Sequence, residues 1–157
     1  MQSRWIKPNP SNRPLTALLH SGVIGPDGQP IQVKSFVPSA PDNELVVVID
    51  SGYTLPQVPR SMSDAIYGRV PGAVYDVTRG YWTVPCDSLV NLTFRFGGVE
   101  IPIHPLDVVM SEFSYKDANG NPACVGSVSV TAAYQINIYL TSLVSTNYIC
   151  IQSTRRI

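Results

Sequence analysis

Apolar positions along the chain come in short runs separated by Pro, Gly, Asn and Asp, a rhythm of strands and turns. The most continuous run is Leu45-Val-Val-Val-Ile49, set between Glu44 and Asp50. Four of its five residues are β-branched, as in a strand buried on both faces. Leu92-Thr-Phe-Arg-Phe96 alternates strictly, Gly97-Gly98 supplies a two-residue turn, and Val99-Glu-Ile-Pro-Ile103 returns the chain. Together they predict a hairpin, with Arg95 and Glu100 as a solvated pair on its exposed side. A second hairpin is predicted where Leu15–Ile24 and Ile31–Val37 flank the turn sequence Gly25-Pro-Asp-Gly-Gln-Pro30. Its first arm is open to another reading, because Leu15-Thr-Ala-Leu-Leu19 also suits the start of a short helix.

Further along, Ser61-Met-Ser-Asp64 has the form of a capping box. It predicts a short helix with Ala65, Ile66 and Tyr67 on its buried side and Gly68 as its stop. Val70–Tyr75 reads as a loop and strand, and Gly80–Pro85 as a second strand. Asp117–Pro122 is a turn, Cys124–Val130 a strand, and Tyr134–Ile151 a further strand pair. Residues 1–14, with Pro8, Pro10 and Pro14 among Asn and basic residues, form an irregular lead-in. Residues 15–157 then make one domain, the size expected for a chain of 157 residues.

Composition narrows the function classes. Eleven basic and eleven acidic residues balance, only 14% of the chain is charged, and no basic run stands out, so nucleic acid is not an expected partner. No apolar run approaches the length of a membrane span, and the N-terminus has none of signal-peptide length. Cys86, Cys124 and Cys150 lack Cys-x-x-Cys spacing, which argues against a zinc site; no metal or cofactor is expected. From the residues alone any of the three cysteine pairings is open. Cys150, in Tyr-Ile-Cys-Ile, has apolar neighbours that raise a thiol pKa, so it makes a poor nucleophile. Asn91-Leu-Thr93 is an N-glycosylation acceptor sequence and points to the secretory pathway. His20 has no ligating neighbours in sequence and reads as a structural or surface residue.

Candidate chemistry sits where the buried strand ends. Asp50 is followed by a hydroxyl, Ser51, and by Gly52, which suits a tight turn. A carboxylate there can accept several hydrogen bonds from amides and hydroxyls, which favour its ionised form. The plain alternative is a polar turn after a core strand.

The segments Asp50-Ser51-Gly52, Tyr67-Gly-Arg-Val-Pro-Gly-Ala-Val-Tyr75, Gly80-Tyr-Trp-Thr-Val-Pro-Cys86, Leu92-Thr-Phe-Arg-Phe-Gly-Gly98, Ile103-His-Pro-Leu-Asp107 and Cys124-Val-Gly126 follow one another in this order. In order and spacing, from about residue 31 to 128, they resemble the C-terminal lobe of secreted pepsin-like aspartic proteases. The resemblance implies a mostly-β acid-protease lobe, antiparallel strands closed or sandwiched with one or two short helices. It implies Asp50 as a catalytic acid supported by Ser51, Gly52 and Thr54, and a disulfide between Cys86 and Cys124. Cys150 is then left as a buried thiol or an intermolecular link. His104 takes a structural role, and Asp107 that of a turn acid. Implied too are peptide or protein substrates and an extracellular or vacuolar location.

In such proteases two lobes each supply one Asp-Thr/Ser-Gly loop, and the two acids share a proton. This sequence has one such loop and no recognisable flap segment. A partner aspartate is therefore expected from a second lobe or from a second copy of the chain, because a dyad needs one proton held between two carboxyls. Two further departures bear on activity. Tyr53 stands where the resemblance implies a small hydroxyl residue, and Leu140 stands at the glycine of the strand that passes under the loop, best matched by Ile138–Val144. Three readings follow. The chain is an endopeptidase half that is inactive alone, a silent binding or structural module on the same fold, or a truncated product.

Overall fold

The computed structural model describes residues 15–19, 22–32, 34, 35, 37, 38, 44–49, 55–96, 99–117, 120–130 and 138–140. In chain order its elements are β1 (Leu15–Leu19), β2 (Val23–Ile24), β3 (Pro30–Ile31), β4 (Glu44–Ile49), β5 (Gln57–Val58) and α1 (Arg60–Tyr67). There follow β6 (Val74–Asp76), β7 (Tyr81–Pro85), β8 (Leu92–Phe96), β9 (Val99–Ile103), α2 (Pro105–Val108), β10 (Val109–Lys116), β11 (Pro122–Gly126), β12 (Ser129–Val130) and β13 (Ile138–Leu140). They form three sheets, ordered β1-β4-β13-β5-β12, β10-β11-β7-β6 and β3-β2-β8-β9. The mostly-β architecture of a pepsin-like lobe is present.

The apolar run after Glu44 became the inner strand β4, antiparallel to β1 on one side and parallel to β13 on the other. Leu45, Val46 and Val47 are buried, as a strand covered on both faces requires. Leu15–Leu19 is a strand, so the helical alternative fails: its backbone pairs residue for residue with Glu44–Val48. The turn at Gly25–Gln29 closes a hairpin of only two residues per arm, Val23 opposite Ile31 and Ile24 opposite Pro30; the expected arm Leu15–Ile24 is divided, because Leu15–Leu19 is taken up by β4 in a different sheet. Gly28 sits at φ 74°, the left-handed region that glycine occupies without strain. Asp27 Oδ1 accepts from the Gln29 amide at 3.0 Å and from Arg69 Nη1 at 2.8 Å, which ties this turn to the end of α1. The hairpin predicted over Leu92–Ile103 is present: Phe96 pairs with Val99 around the glycine pair, and Arg95 faces Glu100 in a half-exposed ion pair. The glycine pair itself lies outside the described residues.

Two further expectations need correction. The helix begins at Arg60 behind Pro59, and Ser61 makes no cap; the Pro59 carbonyl receives the Met62 and Ser63 amides instead. Asp64 does not reach back, because its carboxylate already accepts from Arg60 Nε at 2.6 Å and from Trp82 Nε1 at 3.1 Å. The buried stripe is Met62, Ser63, Ile66 and Tyr67, spaced to lie on one side of a helix; Ala65 packs only partly against the core.

The second correction concerns Cys124–Val130, which is two strands in different sheets. β11 ends at Gly126, and β12 resumes at Ser129 beside β5. At the end of β11 the backbone runs close against the Tyr67 ring: a Cβ on Gly126 would stand 2.5 Å from Tyr67 Cζ, so the position takes only glycine without rearrangement.

One contiguous core joins the sheets to α1 through Val23, Ile31, Leu45, Val47, Met62, Ile66, Tyr67, Leu92 and Phe94. Each such side chain contributes roughly 1.5–3 kcal/mol by leaving water. Cys86 and Cys124 are bonded, with Cα atoms 4.9 Å apart, alongside the register Val84 to Cys124 between β7 and β11.

Candidate active site

Asp50, Ser51, Gly52, Tyr53 and Thr54 lie outside the described residues, as do His20 and Cys150. The strands that carry the loop are described. β4 and β5 lie on either side of β13, so residues 50–56 join two strands that are not neighbours. Ile49, the residue before the acid, pairs with Leu140, and Gln57 pairs with Tyr139. Of the stretch Ile138–Val144, the described residues Ile138–Leu140 form a strand that lies between the two arms of the loop.

Leu55, five positions after the acid, is among the residues lining an open groove of about 1040 Å³. Tyr81, Leu106, Met110, Phe113 and Ser129 are among its walls. Leu106 and Phe113 are 71% and 59% exposed, unusual for such large apolar side chains, and both lie along this one concave surface. β10 forms one rim. Its middle residues, Ser111 to Ser114, are exposed, and its register against β11 breaks between Met110 and Tyr115. Sequence reasoning missed the groove. Its one available signal was Phe113, a large apolar residue in an otherwise polar stretch.

His104 caps the short helix α2, its Nδ1 accepting from the Leu106 amide at 3.3 Å, with Pro105 in the first helical position. This is a structural job. Asp107 belongs to the same turn, and its carbonyl accepts from Ser127 Oγ at 2.5 Å. The strap that leaves β11 contributes Gly126, Ser127 and Ser129 to the groove lining, and Ser127 and Val128 are themselves almost wholly buried. Asn91 is exposed, one residue before β8, in a sheet that contributes nothing to the groove lining. Among the described residues no three His, Cys, Asp or Glu side chains cluster to hold a metal ion. Among them, too, no helix is long and apolar enough to cross a membrane.

The family model for eukaryotic aspartyl protease matches residues 27–153, which takes in the loop, the groove and the disulfide. The chain belongs to that family. Among curated aspartyl proteases, a protein described as "Probable aspartic-type endopeptidase CTSD" from Arthroderma benhamiae is 35% identical over 69 residues, 44% of this chain and 13% of that one. "Major aspartyl peptidase 1" from Cryptococcus neoformans var. grubii is 33% identical over 70 residues, 42% of this chain and 14% of that protein. A third, from Trichophyton verrucosum and bearing the same description as the first, is 33% identical over 69 residues, again 44% of this chain and 13% of the relative. The matched stretch therefore spans about one seventh of the length of these aspartyl proteases or slightly less.

Proposed function

We propose that this chain is one half of an aspartic endopeptidase, hydrolysing peptide bonds at acid pH with water activated between Asp50 and a partner aspartate. The observation that carries the reading is the family match across residues 27–153, with Asp50-Ser51-Gly52 directly after the inner strand β4. The partner acid comes from a second lobe or from a second copy of the chain; by itself the chain has little or no activity. Of the two carboxyls one holds the shared proton and the other, ionised, takes a proton from water, which is why the reaction belongs to acid pH. Ser51, Gly52 and Thr54 support the loop. The largely apolar groove that includes Leu55 suits an extended peptide whose side chains pack along Leu106, Met110 and Phe113. Asn91 carries a glycan on a face away from that groove, in keeping with passage through the secretory pathway to an extracellular or vacuolar site.

The test is cleavage of a fluorogenic peptide at about pH 3–5, with and without a statine-type inhibitor, beside sedimentation of the same sample. Inhibitable cleavage that Asp50→Asn abolishes supports the reading, and cleavage that survives this substitution refutes it. A second reading, a silent module that keeps the fold, is favoured by Tyr53 in place of a small hydroxyl residue and by the single Asp-Ser-Gly in the sequence. A folded chain that stays inactive when supplied with a competent N-terminal lobe would establish it.

A further inference from the structure

Behind the strap that walls the groove stands a fully buried phenol, and we propose that Tyr67 is the positioning residue that sets this wall. The inference rests on the reading of the groove as the seat of an extended peptide. Tyr67 Oη donates to the Val108 carbonyl at 3.0 Å and accepts from the Val128 amide at 2.9 Å. One hydroxyl thus ties the end of α2 to the middle of the strap. Ser63, one helical turn earlier on α1, donates through Oγ to the Val128 carbonyl at 3.3 Å. Both backbone polar groups of Val128 are therefore held by the same face of α1, while its neighbours line the groove.

The anchoring continues in both directions. Gly126 rests against the Tyr67 ring with no room for a Cβ, and the Ser127 amide donates to the Val108 carbonyl at 3.0 Å. On the other side, the Ser129 amide and Oγ both donate to the Pro56 carbonyl, at 2.9 and 3.1 Å. Pro56 follows Leu55, itself a lining residue, so a displacement of Val128 moves two parts of the lining together. Burial keeps the Tyr67 phenol well above its ordinary range, hence protonated and able to donate at any pH of interest.

Tyr67→Phe keeps the ring and removes the hydroxyl. Hydrogen exchange on the full chain should then quicken about 10-fold at residues 127–130 and 55–58, the scale of one buried hydrogen bond. Exchange in β8 and β9 should stay unchanged. Acceleration spread evenly over all sheets, or none at 127–130, overturns the proposal. Ser63→Ala removes only the longer bond and should give the same pattern at lower amplitude; it decides the matter if Tyr67→Phe does not fold. In a preparation that cleaves peptides, Tyr67→Phe should raise KM for a long peptide about 10-fold, again one hydrogen bond's worth. It should leave kcat unchanged and spare a short peptide that does not reach the groove; equal effects on both lengths overturn the proposal. Asp50→Asn is assayed beside it. Cleavage that survives Asp50→Asn defeats the endopeptidase assignment, while the exchange pattern still reports on Tyr67.

Discussion

Breaking the Cys86–Cys124 bond gives the most direct measure of how this lobe is held. The bond closes a loop with a sequence separation of 38. That stretch contains β8, β9, α2 and β10, hence one whole hairpin and most of a second. Closing a loop of this length removes conformational freedom from the unfolded chain worth about 4 kcal/mol at 25 °C. In the folded state the bond adds little further order, because Cys124 already pairs with Val84 and is fully buried. Reduction should therefore leave the far-ultraviolet circular dichroism unchanged while lowering the melting temperature by roughly 8–16 °C, at 2–4 °C per kcal/mol for a chain of this size. The assay is thermal unfolding of the same protein with and without reductant, with Cys86→Ala/Cys124→Ala as the second arm to exclude effects at Cys150. A fall of less than about 3 °C would refute the reasoning, since the unfolded loop would then have had little entropy to lose.

Other expectations follow from single contacts. Gly126→Ala places a Cβ 2.5 Å from Tyr67 Cζ and should cost about 1–3 kcal/mol by overpacking, read from denaturant unfolding; a neutral result would mean the ring has room to move. Asp27 is held below the ordinary carboxyl value of 3.8 chiefly by the Gln29 amide, and Asp76 chiefly by the Arg79 amide, each with an arginine nearby. A depressed folded pKa contributes stability that is complete above the unfolded value and is lost as pH falls through the folded value. The gap in melting temperature between the wild type and Asp27→Asn/Asp76→Asn should therefore be widest near neutrality and close below 3.8; a gap independent of pH would contradict this. Glu100→Gln should change stability by no more than about 0.5 kcal/mol, because its pair with Arg95 is roughly half exposed. Asn91→Gln should remove an endoglycosidase-sensitive glycan from protein made in a eukaryotic secretory host and leave any cleavage activity intact; an unshifted mass would dismiss the site.

Much of the fold was legible because its signals are local. Five apolar residues in a row, strict alternation before Gly97-Gly98, and Gly-Pro-Asp-Gly between two apolar arms each specify structure over a few residues. The capping box misled for a related reason. Ser61 and Asp64 have the right spacing, but Trp82 and Arg60 claim the Asp64 carboxylate, and Trp82 is 18 residues further along.

By itself, the sequence determined the inner strand β4 and the acid after it, the Leu92–Ile103 hairpin, the turn at Gly25–Gln29 and the family to which these belong. Each of these depends on residue types at fixed short spacings, which folding does not alter. The long strand β10 and the separation of Leu15–Leu19 from Val23–Ile24 carried no local signal. Only the tertiary structure decided that β13 lies between the two arms of the loop, that Cys124–Val130 divides between two sheets, and that Phe113, Leu106 and Leu55 share one groove. The physical reason is distance along the chain. Tyr67 meets Val108 and Val128 from 41 and 61 residues away, and no local pattern records which buried hydroxyl will satisfy which backbone group.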